Sequence, residues 1–343
     1  MCNIAGYVGE RDAAPILIEM LRREEGWAGG YYSGIATIHE GKIYYAKITG
    51  DTDRLVSLTN AAKLPGKIGI IHSRSNGGGD DEWSHPFIGP DEKIAYICNG
   101  SAGFFKNAEK RNNLARELAR DGYPMRSHCP VQIGTYPCFE DGSSVHMSDV
   151  MCQLIARNMD AGMDSQAAFE KSYCEMPSEL IGLLLSLDSP DAIVWSRFNL
   201  PCRVAFAPHG AYLASTALAF PEDADPASIL QLPALSCGKV YRDRYTVKRF
   251  DNPPAVCAPA DARAFALGYE IIIGKLAEKE CRVGELSKLI LPAFAEADIA
   301  ERMPVVYGVL ESLNRQGRLE IVRSRVAGAR EDLDAPRFFA KLR

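Results

Sequence analysis

Residues 1–9, Met-Cys-Asn-Ile-Ala-Gly-Tyr-Val-Gly, place a cysteine directly behind the first methionine and a short apolar run directly behind the cysteine. Cysteine is small, so we expect Met1 to be removed. A chain that begins at Cys2 carries a thiol and a free α-amino group on one residue. That amine titrates near pH ~8, close enough to neutrality to act as the general base for the thiol. The pattern also arises by chance, so other parts of the chain have to support it.

Two later stretches supply groups that a thiol nucleophile needs. Residues 70–74, Ile-Ile-His-Ser-Arg, end an apolar run with a cation, and residues 95–100, Ala-Tyr-Ile-Cys-Asn-Gly, end another with an amide followed by glycine. A side-chain amide beside a glycine N–H suits an oxyanion hole, although the same pair also forms hairpin turns. Arg74 suits a carboxylate ligand, and its alternative is a surface ion pair.

Together with Cys2, these stretches resemble the signature of the class II glutamine amidotransferases, which are N-terminal-nucleophile hydrolases. The resemblance is to the glutaminase half of glucosamine-6-phosphate synthase in particular, and it runs in order from residue 1 to about residue 251. Each piece is weak by itself, and the combination is specific. The other matching stretches are residues 13–23, residues 33–37 and His85-Pro86.

The resemblance implies a role for each matching residue. Cys2 would attack the side-chain amide of glutamine, and the Asn99 amide with the Gly100 N–H would stabilise the oxyanion, each donor typically contributing ~3 kcal/mol. Arg74 would bind the α-carboxylate. The further candidates for substrate binding are Ser75, His85 and Asp149. Two histidines fit hydrogen bonds in the core or in loops better than catalysis, namely His72 and His85.

The sequence departs from the family pattern around the predicted site. Asn3 and Ser75 stand where the family usually has Gly and Trp, and residues 28–31, Ala-Gly-Gly-Tyr, replace an Arg-Gly-Tyr-Asp-type run. Met147 aligns with the acidic residue that would bind the α-amino group. Asp149 lies two residues further on, and only a shift in register would bring it to that place. The departures imply an altered substrate preference or a weakened enzyme.

Composition is that of an ordinary globular enzyme. The length of 343 residues predicts about two domains, and 47% hydrophobic with 24% charged residues suits a packed core. The net charge of -5 argues against a protein devoted to nucleic acid or to an anionic membrane surface. The ten cysteines show no CxxC pair or metal-ligand spacing, and neither a signal peptide nor a run of 18 apolar residues occurs. We therefore expect free thiols in the cytoplasm, with no metal and no cofactor.

The periodicity predicts an α+β domain. Residues 3–8 read as a buried strand, 12–24 as a helix with Asp12 as N-cap, 33–39 and 42–48 as a hairpin, and the glycine-rich run 76–81 as a loop that closes over a ligand or merely connects two elements. Further helices are predicted at 107–121, 148–159 and 165–174. A second sheet is predicted from strands at 179–187, 192–196, 204–208 and 211–215. The resemblance implies a four-layer αββα sandwich in which the nucleophile opens a strand.

The composition and periodicity of the sequence change after residue 251. Proline-rich residues 252–260 predict a linker between an amidotransferase domain, residues 1–251, and a second domain, residues 260–343. Helices at 261–279, 283–289 and 304–315, followed by a strand pair, have the order of a winged helix. Residues 304–314 contain Glu311 and no Lys or Arg, so this domain suits protein contacts better than DNA, although residues 315–343 hold eight basic residues against four acidic ones.

The sequence is compatible with three functions. The first is a glutamine amidohydrolase that hands ammonia to a separately encoded synthase, because the isomerase half that would receive it needs several hundred further residues. The second is an N-terminal-nucleophile hydrolase of another amide. The third is a non-catalytic ligand sensor with a winged-helix output domain. The cysteine, arginine and asparagine favour an enzyme, since a binding site needs no nucleophile. No membrane association is expected, and a homo-oligomer is left open.

Overall fold

The strand that follows Cys2 lies in the middle of a seven-stranded sheet. A computed structural model describes residues 2–101, 108–253, 260–297, 299 and 301–343 of the chain. Met1 and the central part of the predicted linker, residues 254–259, lie outside the described residues, as does residue 107 at the start of one predicted helix.

Within the described residues, the strands in chain order are β1 (Asn3–Gly9), β2 (Tyr32–His39), β3 (Lys42–Thr49), β4 (Ile68–Arg74), β5 (Phe87–Ile88), β6 (Ile94–Ser101), β7 (Glu179–Ser186), β8 (Ile193–Arg197), β9 (Arg203–Ala207), β10 (Gly210–Ala214), β11 (Leu230–Gln231), β12 (Ser236–Val240), β13 (Lys248–Arg249), β14 (Leu319–Ala327) and β15 (Asp334–Leu342). The larger sheet has the order β11-β9-β10-β1-β4-β2-β3, and the smaller one has the order β13-β12-β8-β7-β6-β5. β14 and β15 form a separate antiparallel hairpin.

The described α-helices are α1 (Ala13–Ala28), α2 (Thr52–Leu58), α3 (Ala108–Arg120), α4 (Met147–Asp160), α5 (Ser165–Glu175), α6 (Ala262–Glu278), α7 (Val283–Glu296) and α8 (Arg302–Arg315). None of them is long and apolar enough to cross a membrane. The predictions of a strand, a helix and a hairpin at the start of the chain are confirmed. Asp12 does occupy the N-cap position of α1, but its side chain makes no capping hydrogen bond.

β1 is buried on both faces because it separates two layers of the core. Ile4 and Val8 point into the cluster between the two sheets, whereas Ala5 and Tyr7 point into the cluster under α1. At Gly6 a Cβ atom would lie 2.9 Å from Ile193 Cδ1 of the opposite sheet, so a larger residue would require that side chain to move. Such a strand is held in one register by its neighbours β4 and β10.

Helices cover the outer face of each sheet. α1 packs on the larger sheet through Leu17 and Leu21, and α4 packs on the smaller sheet through Leu154 and Ile155. Each fully buried leucine contributes about 1.5–3 kcal/mol relative to an exposed one. The order of layers is therefore helix, sheet, sheet, helix, and the expected four-layer sandwich is confirmed.

The prediction that four consecutive strands form the second sheet is wrong in part. β7 and β8 do belong to the smaller sheet, but β9 and β10 join the larger sheet, where Ala5 pairs with Ala214. A local apolar pattern predicts a strand but does not predict which sheet the strand joins. Two elements were not predicted from the sequence, α2 and β12. β12 escaped prediction because Ser236–Val240 contains glycine and serine rather than an apolar run.

The last part of the chain packs three helices and the β14–β15 hairpin against the part that forms the two sheets. The helices α6, α7 and α8 were all predicted, and α7 continues through Pro292 to a later end than residue 289. Trp27 of α1 lies in the same hydrophobic cluster and meets the Phe338 ring edge-on at 5.5 Å. Buried ion pairs join the two parts at Arg197 with Glu301 and at Arg203 with Glu311, both at 2.7 Å.

Candidate active site

A cavity of about 310 Å³ lies where β1 begins and where β4 and β6 end. Antiparallel pairing of β1 with β4, with Asn3 opposite Ser73, brings the start of one strand beside the end of the other. The chain therefore collects distant residues at one edge of the sandwich. Of the predicted site residues, those that line the cavity are Cys2, Arg74, Ser75, His85 and Gly100.

Asn99 contacts the predicted nucleophile directly. The main-chain nitrogen of Cys2 donates a hydrogen bond to Asn99 Oδ1 at 3.0 Å, and both residues are buried. Because the amide oxygen accepts this bond, the amide nitrogen of Asn99 is the group left to donate elsewhere. Gly100 follows at the cavity wall, where a Cβ atom would lie 2.4 Å from Glu179 O, so no larger residue fits its backbone position.

The Cys2 thiol is acidic although it is buried. Burial by itself would raise the pKa of the thiol, but a hydrogen bond and the charge from His72 more than offset it and lower the pKa to about 6. Ser75 Oγ lies 3.9 Å from Cys2 Sγ. A large share of the thiol is therefore ionised at neutral pH, which is the form that attacks an amide.

His72 reaches the thiol from the neighbouring strand and was not predicted to take part in catalysis. His72 Nε2 lies 2.9 Å from the carbonyl oxygen of Cys98, and a carbonyl can only accept, so this nitrogen carries the proton. The other ring nitrogen, Nδ1, has no hydrogen-bond partner elsewhere within the described residues and is the atom available to the Cys2 thiol. The signal in the sequence is its spacing from Arg74, because residues two apart on a strand share a face.

Four other cysteines have thiols that are less acidic than that of Cys2. Burial raises the pKa of the thiols of Cys98 and Cys174 to about 11 and those of Cys202 and Cys237 to about 12. Nine cysteines are free among the described residues. Cys2 thus differs from these thiols in its environment as well as in its position.

Two more histidines surround the reactive end of the cavity. The His85 ring stacks 3.8 Å from that of His72, measured between centroids, and lies 5.5 Å from that of His146. Burial, followed by neighbouring positive charges that include Arg74, holds the pKa of both His85 and His146 well below the usual range. Both rings are therefore neutral at pH 7. No group of three or more metal-ligating side chains among the described residues is arranged to hold an ion.

Arg74 is buried in the cavity wall and held by uncharged partners. Its guanidinium group donates to Gly78 O at 3.0 Å and to Tyr136 OH at 3.3 Å, and it lies 4.4 Å from the centroid of the Tyr32 ring. Gly78 belongs to the glycine-rich loop, and Tyr136 belongs to the long segment before α4. This arrangement fixes the cation next to the cavity without neutralising it.

The predicted amine-binding residue Asp149 lies away from the cavity. Its carboxylate is fully buried and accepts hydrogen bonds from the Ser127 N–H and hydroxyl, at 2.9 and 2.8 Å, and from Gln153 Nε2 at 3.0 Å. The cavity wall at the start of α4 is formed by Met147 and Ser148 instead. The register shift that would have brought Asp149 to the substrate does not occur.

The comparisons with known proteins agree with this geometry, although no family model matches the chain. The glutamine–fructose-6-phosphate aminotransferase (isomerizing) of Pyrococcus horikoshii is 30% identical over 222 residues, which make up 64% of this chain and 33% of that protein. The protein of the same name from Caldanaerobacter subterraneus is 39% identical over 219 residues, 63% of this chain and 31% of that protein. This chain carries a class II glutamine amidotransferase domain. The chain spans about a third of the length of the curated relatives it matches.

Solved structures show that the amidotransferase domain has the α+β fold of N-terminal-nucleophile hydrolases. The glutamine phosphoribosylpyrophosphate amidotransferase of B. subtilis, complexed with ADP and GMP, matches with a TM-score of 0.58 at 15% identity, over 80% of this chain and 57% of that one. A glutamine aminotransferase class-II domain protein from Silicibacter pomeroyi matches with a TM-score of 0.50 at 13% identity, over 74% of this chain and 100% of that one. At these identities the likeness concerns the fold alone.

Several departures of the amidotransferase domain from its family pattern face the C-terminal helices and hairpin. Asn3 Nδ2 donates to Tyr307 OH at 3.5 Å, and Arg337 donates to Tyr31 OH at 2.9 Å. At Gly30 a Cβ atom would come within 2.7 Å of Pro336. These replacements therefore fit the surface on which the C-terminal part of the chain docks.

Proposed function

We propose that this protein hydrolyses a primary amide through a thioester on Cys2 and releases ammonia. The observation that carries the proposal is the hydrogen bond of 3.0 Å from the Cys2 main-chain nitrogen to Asn99 Oδ1, beside a cavity that Cys2, Gly100 and Arg74 line. The lowered pKa of the Cys2 thiol supports it. A site that only binds a ligand has no need to lower the pKa of a buried thiol. This favours an enzyme over a ligand sensor.

In the proposed reaction Cys2 Sγ attacks the carboxamide carbon of the substrate. The carbonyl oxygen becomes an oxyanion that accepts hydrogen bonds from Asn99 Nδ2 and the Gly100 N–H. The carbon–nitrogen bond then breaks, and ammonia leaves with a proton that the α-amino group of Cys2 supplies after removal of Met1. Water attacks the thioester, the product acid leaves, and the thiol is regenerated. His72 contributes by stabilising the thiolate.

The direct test measures ammonia and the product acid after incubation of the purified protein with glutamine. Turnover that disappears in Cys2→Ala supports the proposal. A diazoketone analogue of glutamine should label Cys2, as mass spectrometry of the intact and digested chain will show. A chain that releases no ammonia, and whose diazoketone adduct lies on another cysteine, would refute it.

We further propose that the ammonia is used by a separately encoded acceptor enzyme. The relatives named above are about twice as long as this chain, and the match covers about a third of their length. An acceptor would be found as a protein that raises the rate of amide hydrolysis when it is added to the purified chain. If no candidate synthase changes the rate, the ammonia is released to solution.

We infer that residues 1–251 and 260–343 are two domains, and that the second is a winged-helix-like module for protein contacts. Three helices, the hairpin and a bridge between Cys281 and Ala340 support this assignment. The helix that would enter a DNA groove is α8, and its Tyr307 and Glu311 are buried against the first domain. Tight binding in a gel-shift titration at physiological salt, with a steep dependence on salt, would contradict this inference.

A further inference from the structure

The described wall of the cavity that holds Cys2 contains cations and no carboxylates. Its charged or titratable lining residues are Cys2, Arg74, His85, Cys98, Arg111 and His146, together with two tyrosines. Among the described residues, no Asp or Glu belongs to this lining. A zwitterionic amino acid needs a negative partner for its ammonium group as well as a positive partner for its carboxylate, and only the second is provided.

Arg111 is a buried cation for which the described residues provide no carboxylate partner. It lies on α3, lines the cavity and is 7% exposed. Within the described part of the chain, no carboxylate forms an ion pair with it and its Nε makes no hydrogen bond. The neighbouring residues 102–107, Ala-Gly-Phe-Phe-Lys-Asn, contain no acidic residue either. A buried cation without a partner is strongly destabilising, so its natural partner is a group on the ligand.

Arg74 provides a second such cation. Its two hydrogen-bond partners, Gly78 O and Tyr136 OH, are uncharged, so its positive charge is available to a ligand. Arg74 and Arg111 come from different elements, β4 and α3, and face one cavity. The site therefore suits a ligand with one or two anionic groups.

An ammonium group would meet Met147 where the family pattern has an acidic residue. Asp149 is the nearest acidic residue in sequence, and it is committed to Ser127 and Gln153. The neighbouring charges that act on His85 and His146 are positive, and after burial they are what lowers the pKa of both rings. Bringing an ammonium group into such a field, without a carboxylate, is unfavourable.

We propose that the substrate is a primary amide that carries a carboxylate and has no ammonium group, such as the ω-amide of a short dicarboxylic acid. This proposal rests on the amide hydrolysis proposed above and names its substrate class. The carboxamide meets Cys2 and Asn99, the carboxylate meets Arg74 and Arg111, and an uncharged substituent lies beside Met147. The chemical step is unchanged, because water remains the second reactant.

The test compares two amides that differ only in the ammonium group. Glutaramate is glutamine without its α-amino group, and N-acetylglutamine keeps the nitrogen but not the charge. We expect kcat/KM for glutaramate to exceed that for glutamine by about tenfold or more, which is the usual effect of one unpaired charge. N-acetylglutamine should also exceed glutamine. An equal or higher kcat/KM for glutamine would overturn the substrate class and leave the proposed hydrolysis intact.

Two variants test the structural reason. Met147→Asp supplies the missing carboxylate and should shift the preference towards glutamine by about tenfold or more, whereas Met147→Leu should keep the wild-type preference. Arg111→Gln should raise KM for glutaramate, and Arg120→Gln, an exposed arginine of the same helix, should not. If Met147→Asp does not fold, the substrate pair and Arg111→Gln still decide the question.

The experiments distinguish a failure of the proposed amide hydrolysis from a failure of the proposed substrate class. If no amide is hydrolysed and no adduct forms on Cys2, the proposed hydrolysis is wrong. Calorimetric titration of the Cys2→Ala protein with glutaramate and with glutamine then tests the ligand class alone. Tighter binding of glutaramate supports the ammonium-free class, and tighter or equal binding of glutamine overturns it.

Discussion

The two ends of the cavity are built from different kinds of element and obey different rules. At the nucleophile end, Cys2 and Asn99 stand at β1 and β6, whose ladders fix both residues and whose polar groups satisfy each other at 3.0 Å. At the far end, Met147 and Arg111 stand on α4 and α3, where an apolar side chain and an unpaired cation replace the expected acidic contact. Strands thus position the nucleophile end, and helices form the end at which we propose a different substrate preference.

Removal of the nucleophile should have the largest effect. We expect Cys2→Ala to lower kcat by ~10⁴-fold or more, because the reaction loses its covalent path. Cys174→Ser, whose thiol has a pKa of about 11 and lies outside the cavity, is the matched control and should retain activity. Steady-state ammonia release measures both. Substantial turnover by Cys2→Ala would mean that another group reacts.

Loss of the oxyanion donor should rank next and should act on rate. Asn99→Ala removes a donor that is useful only when negative charge develops, so kcat should fall by ~10²–10³-fold with little change in KM. Asn113→Ala on the exposed face of α3 is the control. A large rise in KM with unchanged kcat would mean that Asn99 binds the ground state of the substrate. The assignment of Asn99 to the catalytic end of the cavity would then be wrong.

Loss of the cation that would bind the substrate carboxylate should act on binding. Arg74→Ala removes a charged contact worth about 2–3 kcal/mol, which is a rise in KM of ~30- to 150-fold with a smaller change in kcat. The variant should be compared with Arg22→Ala, whose guanidinium is at the surface of α1 and pairs with Asp53. If Arg74→Ala changed kcat alone, the arginine would act in the chemical step and not in substrate binding.

The nucleophile end was predictable from the sequence and the far end was not. Cys2, Arg74 and Asn99 each close or open an apolar run, so local periodicity plus a family resemblance was enough to bring them together. Asp149 was misplaced because an offset of two residues on a helix turns a side chain to another face, and its partners Ser127 and Gln153 lie outside the motif.

The sheet that each strand joins and the partner of each buried cation depend on long-range packing. β9 and β10 gave clear strand patterns, but only their ladder with β1 shows that they complete the larger sheet. Arg111 likewise looked like one arginine among several on a charged helix. Its burial and its lack of a described carboxylate are properties of the folded chain alone.

A change in the acidity of the Cys2 thiol should affect rates less than the substitutions above. It should appear as a shift in the pH dependence of alkylation. Because the pKa of the thiol is lowered to about 6, the rate of alkylation should rise with pH through that value and level off above it. His72 lowers this pKa, so His72→Gln should move the midpoint upward by about one pH unit or more and slow alkylation near pH 6 by ~10-fold. Iodoacetamide labelling across pH, read by mass spectrometry, measures the shift. A midpoint that stays at about 6 in His72→Gln would assign the acidity to another group.

The smallest effect should come from the contact between the C-terminal module and the residue behind the nucleophile. Tyr307 OH receives a long hydrogen bond of 3.5 Å from Asn3 Nδ2, and Asn3 follows Cys2 in the same strand. Tyr307→Phe removes this bond and leaves the ring in its buried place, so we expect a loss of about 0.5–1 kcal/mol, or a change in kcat of only ~2- to 5-fold. Tyr269→Phe, which removes only a contact with Arg318 at the surface, is the control and should change nothing. A fall in thermal stability with kcat intact would show that the module merely anchors the fold. A fall in kcat at unchanged stability would show instead that this contact helps to position Cys2, so that a partner bound to the module could reach the nucleophile end through a single residue.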